Sequence, residues 1–177
     1  NGGLLLLDWQ TMEVVANVGS ANFYSDEIQG QVNITTSKRS PGSTLKPFIY
    51  ALALEQGLIH YSTMLKDTPQ AFNEYAPDNY GSTFKGPVKA WYALADSRNI
   101  PAVSLAQQIS NPDLYDFLKQ AKISDLKNKE HYGLSIVLGS AEVSMLELAK
   151  LYAMLANNGV YKNINFDKET FATKDLS

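Results

Sequence analysis

The sequence predicts an α+β fold in which a small β hairpin precedes a mostly helical body. The apolar run 4–7 and the segment Glu13–Val18 have the composition of two short strands joined by a turn. The run 48–54 is apolar on every side, which is typical of a helix in the middle of a core. Two later segments, 114–121 and 148–156, repeat apolar residues at helical spacing.

Composition excludes several classes of protein. Apolar residues make up 45% and charged residues 19% of the 177, so we expect one globular domain or part of a larger one. A net charge of −3 argues against a nucleic-acid or anionic-membrane partner, and no apolar run reaches the ~18 residues of a membrane span. The sequence has no cysteine, and neither His60 nor His131 has metal-ligand spacing, so neither a metal site nor a cofactor is expected.

The first half of the chain should alternate regular elements with long loops. The four leucines 4–7 predict a strand buried on both faces, with the start of a buried helix as the alternative. The polar segment 20–40 predicts a connecting loop with at most one short strand or helix. A buried helix then follows and ends at Gly57, a typical residue just beyond a helix C-terminus. The turn-rich segment 58–87, with its prolines and glycines, predicts a long loop, which within a compact domain is more often functional than decorative.

The second half should be helical. A short helix is expected over 88–95, and another starts at Ile100-Pro101. Asn111, Pro112 and Asp113 predict the cap, first position and first-turn acid of a third helix. Ser144 and Glu147 form a capping-box pattern before the stripe 148–156, which 157–159 ends. The polar tail 160–177 has only a weak strand signal.

The Pro41-Gly42 turn places Ser43 at the start of the buried helix. Free backbone N–H groups and the positive end of the helix dipole favour a developing alkoxide at this position. Lys46 returns to the same face one turn later. The pattern therefore indicates a serine nucleophile with a lysine base, while the alternative is an ordinary N-cap serine followed by a solvated surface lysine.

The Ser-x-x-Lys pattern alone is not specific. It occurs three times, at Ser43/Lys46, Ser82/Lys85 and Ser124/Lys127. The second copy lies in a turn-rich stretch without helical period, and the third opens a polar string. Ser43 is the copy that opens a buried helix, so it is the candidate nucleophile.

A second motif, Asp96-Ser97-Arg98-Asn99, lies in a tight connection between two predicted helices. Ser97 could relay a proton to a leaving group, and Asn99 could bind a substrate amide. Alternatively, the two side chains are a helix stop and a cap. The Ser-x-Asn pattern is also found at Ser20-Ala21-Asn22, so it is weak by itself.

Together, these motifs and their surroundings closely resemble the transpeptidase domain of class A penicillin-binding proteins, in particular the 1C subgroup. Ser-x-x-Lys, Ser-x-Asn and Lys-Thr-Gly form the motif set of penicillin-binding proteins and class A β-lactamases. The matches run from about Gly3 to Gly159 in the family's order. The matching segments are 41–57, 75–80, 86–88, 93–103, 138–149 and 152–159.

The resemblance implies the penicillin-binding protein and serine β-lactamase-like fold, an antiparallel sheet flanked by helices with a helical subdomain. It implies that Ser43 attacks the bond between the terminal D-alanines of a peptidoglycan stem peptide while Lys46 takes the serine proton. Ser97 would relay a proton to the leaving D-alanine, and Asn99 would hold the substrate. An amine of a second stem would then resolve the acyl-enzyme into a cross-link, and β-lactams would acylate Ser43.

One departure from the family concerns its third motif. Lys-Thr-Gly, on a strand that lines the site, appears nowhere in this sequence. We therefore expect residues 1–177 to be the N-terminal part of a transpeptidase domain, truncated to the first hairpin and the helical body. The second oxyanion-hole donor would be missing, at a typical cost of about 10²–10³ in rate. The chain alone is expected to be inactive or unfolded without the remainder of the domain, which a second chain could supply.

The implied location is the extracytoplasmic, periplasmic face of the bacterial inner membrane, without membrane contact by this segment. The implied partners are peptidoglycan stem peptides, β-lactam antibiotics and the remainder of the domain. Two other interpretations stay open. A β-lactam sensor or serine β-lactamase would share Ser43 and Lys46, and a non-catalytic scaffold could bind peptidoglycan through 58–87.

Overall fold

The computed structural model describes residues 1–72 and 75–166, which form four strands and six α-helices. The strands are β1 (Leu4–Leu7), β2 (Val14–Val18), β3 (Met64–Asp67) and β4 (Gly86–Lys89). The helices are α1 (Lys46–Glu55), α2 (Ala90–Ala95), α3 (Asn99–Gln108), α4 (Leu114–Gln120), α5 (Lys129–Tyr132) and α6 (Met145–Ala156). The chain divides into two compact units, one of residues 1–39 with 143–177 and one of residues 40–142. Within the described residues, no helix is long and apolar enough to cross a bilayer.

The first unit contains the predicted hairpin. Strands β1 and β2 pair antiparallel, with Leu4 opposite Val18 and Leu6 opposite Ala16. Leu4 and Leu6 are each more than half exposed, so the prediction that this strand is buried on both faces was wrong. The reason is that successive side chains of a strand point to opposite faces, and along β1 exposed residues alternate with half-buried ones, so one face of the strand is left uncovered.

Helix α6 begins at the predicted capping box. The Ser144 hydroxyl accepts the Glu147 N–H at 3.2 Å, and the Glu147 carboxylate accepts the Ser144 N–H at 2.8 Å. Lys38 adds an ion pair to the same carboxylate at 2.7 Å. Because these groups satisfy donors that a helix N-terminus leaves free, they fix where α6 starts. Of the predicted tail, Asn165 forms a bridge with Glu13, and 167–177 lie outside the described residues.

The second unit is built around α1. A 3₁₀ turn over Gly42–Leu45 leads into α1, which packs against α2, α3 and α4. Phe48 stacks on Phe117 of α4 with ring centroids 5.5 Å apart. Gly57 follows the helix with φ of +69°, the left-handed conformation that ends helices. The predicted buried helix is therefore confirmed.

The segment 58–87 differs from its prediction as one long loop. It contains β3, and its last residues enter β4; the two pair antiparallel with Leu65 opposite Val88. The predicted helix 88–95 accordingly begins only at Ala90. The sequence does not indicate these strands, because β3 contains Lys66 and Asp67 while β4 begins Gly-Pro, residue types that are depleted in strands.

Helix α4 starts later than the sequence indicated. Its N-cap is Asp113, whose carboxylate accepts the Asp116 N–H at 2.9 Å. Asn111 and Pro112 precede the helix, so the prediction of Asn111 as cap and Pro112 as first residue was wrong. The physical reason is that Asp113 and Asp116 form a reciprocal capping box, which satisfies more free donors than an Asn111 cap would.

Candidate active site

Ser43 and Lys46 lie at the turn that opens α1. The Lys46 N–H donates to the Ser43 carbonyl, which closes the 3₁₀ turn Gly42–Leu45. With three residues per turn, side chains at i and i+3 of a 3₁₀ helix lie on the same side. Within the described residues the Lys46 Nζ forms hydrogen bonds to Ser97 and Asn99 and none to the Ser43 hydroxyl. Ser43 is exposed, whereas Lys46 is 1% exposed. The N-cap of α1 is Leu45, so Ser43 is not an ordinary cap and Lys46 is not a surface lysine.

The Lys46 ammonium connects the Ser43/Lys46 motif with the Ser97/Asn99 motif through hydrogen bonds. Its Nζ donates to the Ser97 carbonyl at 2.5 Å, to the Ser97 hydroxyl at 3.1 Å and to Asn99 Oδ1 at 2.6 Å. Asn99 Nδ2 donates in turn to the Asp78 carbonyl at 2.5 Å. Residues 51 and 53 positions away thus converge on one amine. Neither Ser97 nor Asn99 caps α3, whose N-cap residue is Arg98.

Burial and a neighbouring cation make Lys46 a stronger candidate base. Burial is the main cause that lowers the pKa of Lys46, and the positive charge of Arg98 adds to it, bringing the pKa to about 8. Both causes act because they penalise the charged form of the amine. At pH 7 about a tenth of the Lys46 amine is then neutral, far more than in a lysine with the ordinary pKa.

Ser97 adopts an unusual backbone conformation. Its φ is +52°, in the left-handed region that a residue with a Cβ rarely occupies. Such a conformation costs about 1–3 kcal/mol and persists where the surroundings over-determine it. At Ser97 it places the carbonyl and the hydroxyl of one residue within reach of the same ammonium.

A buried polar network behind the second motif was not predicted from the sequence. Asp67 is fully buried and pairs with Arg98 at 2.8 Å. Asn79 donates to the Asp67 carboxylate at 2.7 Å and accepts the Asn99 N–H at 2.8 Å. Arg98 also donates to the Thr83 carbonyl. No local pattern signals this set, because its members come from β3, the segment before β4 and the α2–α3 connection.

Tyr50, one turn after Lys46 on α1, is almost fully buried. Burial, with a smaller contribution from the Asp67 charge, raises the pKa of its hydroxyl. Within the described residues this hydroxyl has no hydrogen-bond partner. Tyr50 therefore stays neutral and brings no charge to the site.

The other two Ser-x-x-Lys copies lie at the surface. Ser82 and Lys85 are exposed, and the Lys85 Nζ is 2.8 Å from the Tyr92 hydroxyl and 3.7 Å from the Asp96 carboxylate. Ser124 and Lys127 are exposed as well. Of the three lysines, Lys46 is the one that is buried and in contact with a second serine and an asparagine.

Gly139 packs against the turn that precedes Ser43. The Ser40 hydroxyl donates to the Gly139 carbonyl at 2.7 Å. A methyl group added at Gly139 would lie 2.7 Å from both the Gly42 Cα and the Ser40 Oγ, and the residue has φ of +96°. The residue before Ser43 is therefore in close contact with a position that only glycine fits.

The model of the penicillin binding protein transpeptidase domain family matches residues 2–176. The chain belongs to this family. Penicillin-binding protein 1C of Escherichia coli is 36% identical over 157 residues, which are 88% of the chain and 20% of that protein. Penicillin-binding protein 1F of Bacillus subtilis is 32% identical, over 97% of the chain and 24% of that protein. The chain thus spans about a fifth to a quarter of these relatives.

Solved penicillin-binding proteins share the fold. The crystal structure of penicillin-binding protein 1A from Haemophilus influenzae superposes with a TM-score of 0.75 at 29% identity, covering 88% of this chain and 23% of that one. PonA1 from Mycobacterium tuberculosis, solved in complex with penicillin V, gives a TM-score of 0.74 at 22% identity, covering 95% and 50%. The expected fold class and family resemblance are confirmed.

Replacing Gly139 by alanine should destabilise the protein more than replacing Gly81. Both glycines have left-handed backbone angles, with φ of +96° and +71°, so both variants carry similar backbone strain, but a methyl group at Gly81 meets nothing within 4 Å. The contact with Gly42 and Ser40 should add about 1–3 kcal/mol of overpacking to Gly139→Ala. Urea unfolding of both variants measures the difference, and equal losses would contradict the close contact.

Proposed function

We propose that this chain contributes the nucleophile and its acid–base partners to a DD-transpeptidase that cross-links peptidoglycan through an acyl-serine intermediate. The observation that best supports this proposal is the contact of the buried Lys46 amine with Ser97 and Asn99. The membership of the chain in the transpeptidase family supports it as well. Ser43 precedes that amine by one 3₁₀ turn. A nucleophile next to a base that a third group orients is the arrangement of covalent acyl transfer.

In the first step, neutral Lys46 takes the proton of the Ser43 hydroxyl as its oxygen attacks the carbonyl between the terminal D-alanines. The lowered pKa supports this role, because an amine with a pKa near 8 is roughly 300-fold more often neutral at pH 7 than one with the ordinary pKa. A bond from Ser43 to the acyl carbon forms, and the bond to the departing D-alanine nitrogen breaks. Ser97, at 3.1 Å from the Lys46 Nζ, relays a proton to that nitrogen.

In the second step, the amine of another stem peptide attacks the acyl carbon and gives up a proton to the same relay. The bond between the acyl carbon and the Ser43 oxygen breaks, and Lys46 returns a proton to that oxygen. Asn99, whose Oδ1 accepts from Lys46 and whose Nδ2 donates to the Asp78 carbonyl, holds the substrate through the second N–H of its amide. The Ser43 N–H supplies one oxyanion donor, and the Lys-Thr-Gly strand of the family, absent from this sequence, supplies the other. Because this second donor is absent from the sequence, the acylation experiments below use the natural polypeptide that contains this sequence.

The proposed ligands and location follow from the family. Stem peptides ending in D-Ala-D-Ala are the substrates, and β-lactams acylate Ser43 because their strained amide mimics that bond. The remainder of the domain is the further partner. The reaction takes place at the extracytoplasmic, periplasmic face of the bacterial inner membrane, where peptidoglycan lies.

Ser43→Ala should abolish the covalent penicillin adduct, because the acylated oxygen is gone. Ser82→Ala and Ser124→Ala provide matched controls, since each removes the serine of another Ser-x-x-Lys copy, and both should keep the full adduct. Intact-protein mass spectrometry after penicillin treatment measures the mass increase. An adduct that persists in Ser43→Ala would place the nucleophile elsewhere, and no adduct in the unaltered protein would favour the non-catalytic scaffold.

Acylation should become faster as pH rises through about 8 and then level off. The sign follows from the base, because the neutral form of Lys46 accumulates above its pKa. Lys46→Arg cannot lose its proton at accessible pH and should slow acylation by about 10²–10⁴-fold. The second-order rate constant with a fluorescent penicillin, measured from pH 6 to 10, gives the profile. Lys127→Arg is the control, and a profile without a pH dependence near 8 would exclude Lys46 as the base.

The lifetime of the adduct separates a transpeptidase from a β-lactamase. A transpeptidase excludes water as the second nucleophile, so the fluorescent label should stay on Ser43 for many minutes. Loss of the label is followed on a gel after excess unlabelled penicillin is added. Release within seconds would replace the transpeptidase assignment by that of a serine β-lactamase.

A further inference from the structure

Asp67 occupies the centre of the buried network behind the second motif. Its Oδ1 accepts the Asn79 amide at 2.7 Å, and its Oδ2 accepts the Arg98 Nε at 2.8 Å and the Lys85 N–H at 3.0 Å. The carboxylate is fully buried. A buried charge is costly unless it is paired and hydrogen-bonded, and here both oxygens are occupied. Asp67 is therefore held in one position by three chain segments.

The hydrogen bond from Asn79 to Asp67 fixes which way the Asn79 amide points. Its NH₂ group faces the carboxylate and the Thr83 carbonyl, at 2.7 and 3.0 Å. Its oxygen must then face the other way, where it accepts the Asn99 N–H at 2.8 Å. Helix α3 has no side-chain cap of its own, so Asn79 serves as its cap from a distant segment. The position of Asn99 thus depends on Asp67.

Arg98 provides the second link from Asp67 to the site. It lies between Ser97 and Asn99 in sequence and is held by the Asp67 carboxylate and the Thr83 carbonyl. With Arg98 and Asn99 both anchored, Ser97 has little freedom to leave its left-handed conformation. The two oxygens of Ser97 that receive the Lys46 ammonium are consequently held in place.

We propose that Asp67 is a positioning residue of this site, whose buried carboxylate holds Arg98 and Asn79 and thereby the turn of Ser97 and Asn99 that receives the Lys46 amine. The inference rests on the proposed function, in which Lys46 is the base. A purely stabilising role would not require charge, because a buried ion pair is often replaceable by apolar residues without loss of stability. The charge has a different consequence, since Asp67 offsets the cation that faces Lys46.

The charged groups around Lys46 make the direction of that effect definite. Arg98 is the charge that acts on Lys46 directly, and Asp67 and Asp96 face Arg98 at 2.8 and 3.5 Å. Helix α3 and the 3₁₀ helix Gly133–Leu138, which both pack on α1, contain no ionisable side chain. Two other helices pack on α1. Helix α2 carries one ionisable residue, Tyr92, which is hydrogen-bonded to Lys85. Helix α4 carries Tyr115, Asp116 and Lys119; Asp116 is hydrogen-bonded to Lys129, and Lys119 is exposed.

Removing one charge at a time should move the pH profile of acylation in opposite directions. In Asp67→Asn the cation of Arg98 is no longer offset, so the midpoint of the profile should fall below that of the unaltered protein. In Arg98→Met the cation is gone, so the midpoint should rise. Asp67→Asn also turns one acceptor into an NH₂ donor that faces either the Asn79 amide or Arg98 and the Lys85 N–H, so it loses part of the hydrogen bonds as well as the charge. Asp67→Ala loses all of them, and misplacement of the site should lower its plateau rate by about 10–100-fold.

The experiment measures the second-order rate constant for a fluorescent penicillin from pH 6 to 10, with the acylated fraction from intact mass. Asp116→Asn is the matched control, because it removes a carboxylate paired with Lys129, and its profile should be unchanged. The proposal is supported if Asp67→Asn and Arg98→Met shift the midpoint in opposite directions. It is overturned if both merely reduce the acylated fraction at an unchanged midpoint, or if Asp67→Asn behaves as the unaltered protein.

The same data separate this inference from the proposed function. If the unaltered protein forms no adduct at any pH, the proposed function fails, and the inference fails with it. If the unaltered protein is acylated with a midpoint near 8 and the variants do not shift it, the inference alone fails. Asp67→Asn keeps the size of the side chain, so the test holds even if Asp67→Ala does not fold.

Discussion

The burial of the Lys46 ammonium is the constraint on which the site depends. An amine in this position must be given acceptors, and a single tight turn provides three of them, from the Ser97 carbonyl and hydroxyl and from Asn99. These bonds join the start of α1 to the connection between α2 and α3. The same burial lowers the pKa of the amine, so its position in the fold also makes the neutral form more accessible than in an exposed lysine.

The turn that meets Lys46 is itself held by a second layer of polar groups. Asp67 at the end of β3 and Asn79 before β4 contact Arg98 and Asn99, respectively. The β3–β4 hairpin therefore does more than connect two helices, since it brings a carboxylate and an amide to the back of the site. A segment expected to be a loop proves to be a support for the residues that face substrate in the proposed reaction.

Local sequence patterns predicted much of the fold and little of this support. The buried helix and the α6 capping box follow from residues close together in the chain. So does the choice of Ser43 as the nucleophile among three copies, which stays a prediction. The β3–β4 hairpin was missed because its strands mix charged residues, glycine and proline with few apolar ones. The pair Asp67 and Arg98 is separated by 31 positions, and nothing near either residue marks it as half of a buried ion pair.

The contact of Gly139 with the turn before Ser43 has a consequence for how the protein is made. Ser40 and Gly139 are separated by 99 positions. The turn before Ser43 therefore cannot contact Gly139 until the intervening residues have left the ribosome. Contacts of such sequence separation form late, because a long loop must close before they stabilise anything. The turn that carries Ser43 is therefore completed among the last parts of its unit, after Gly139 has been synthesised.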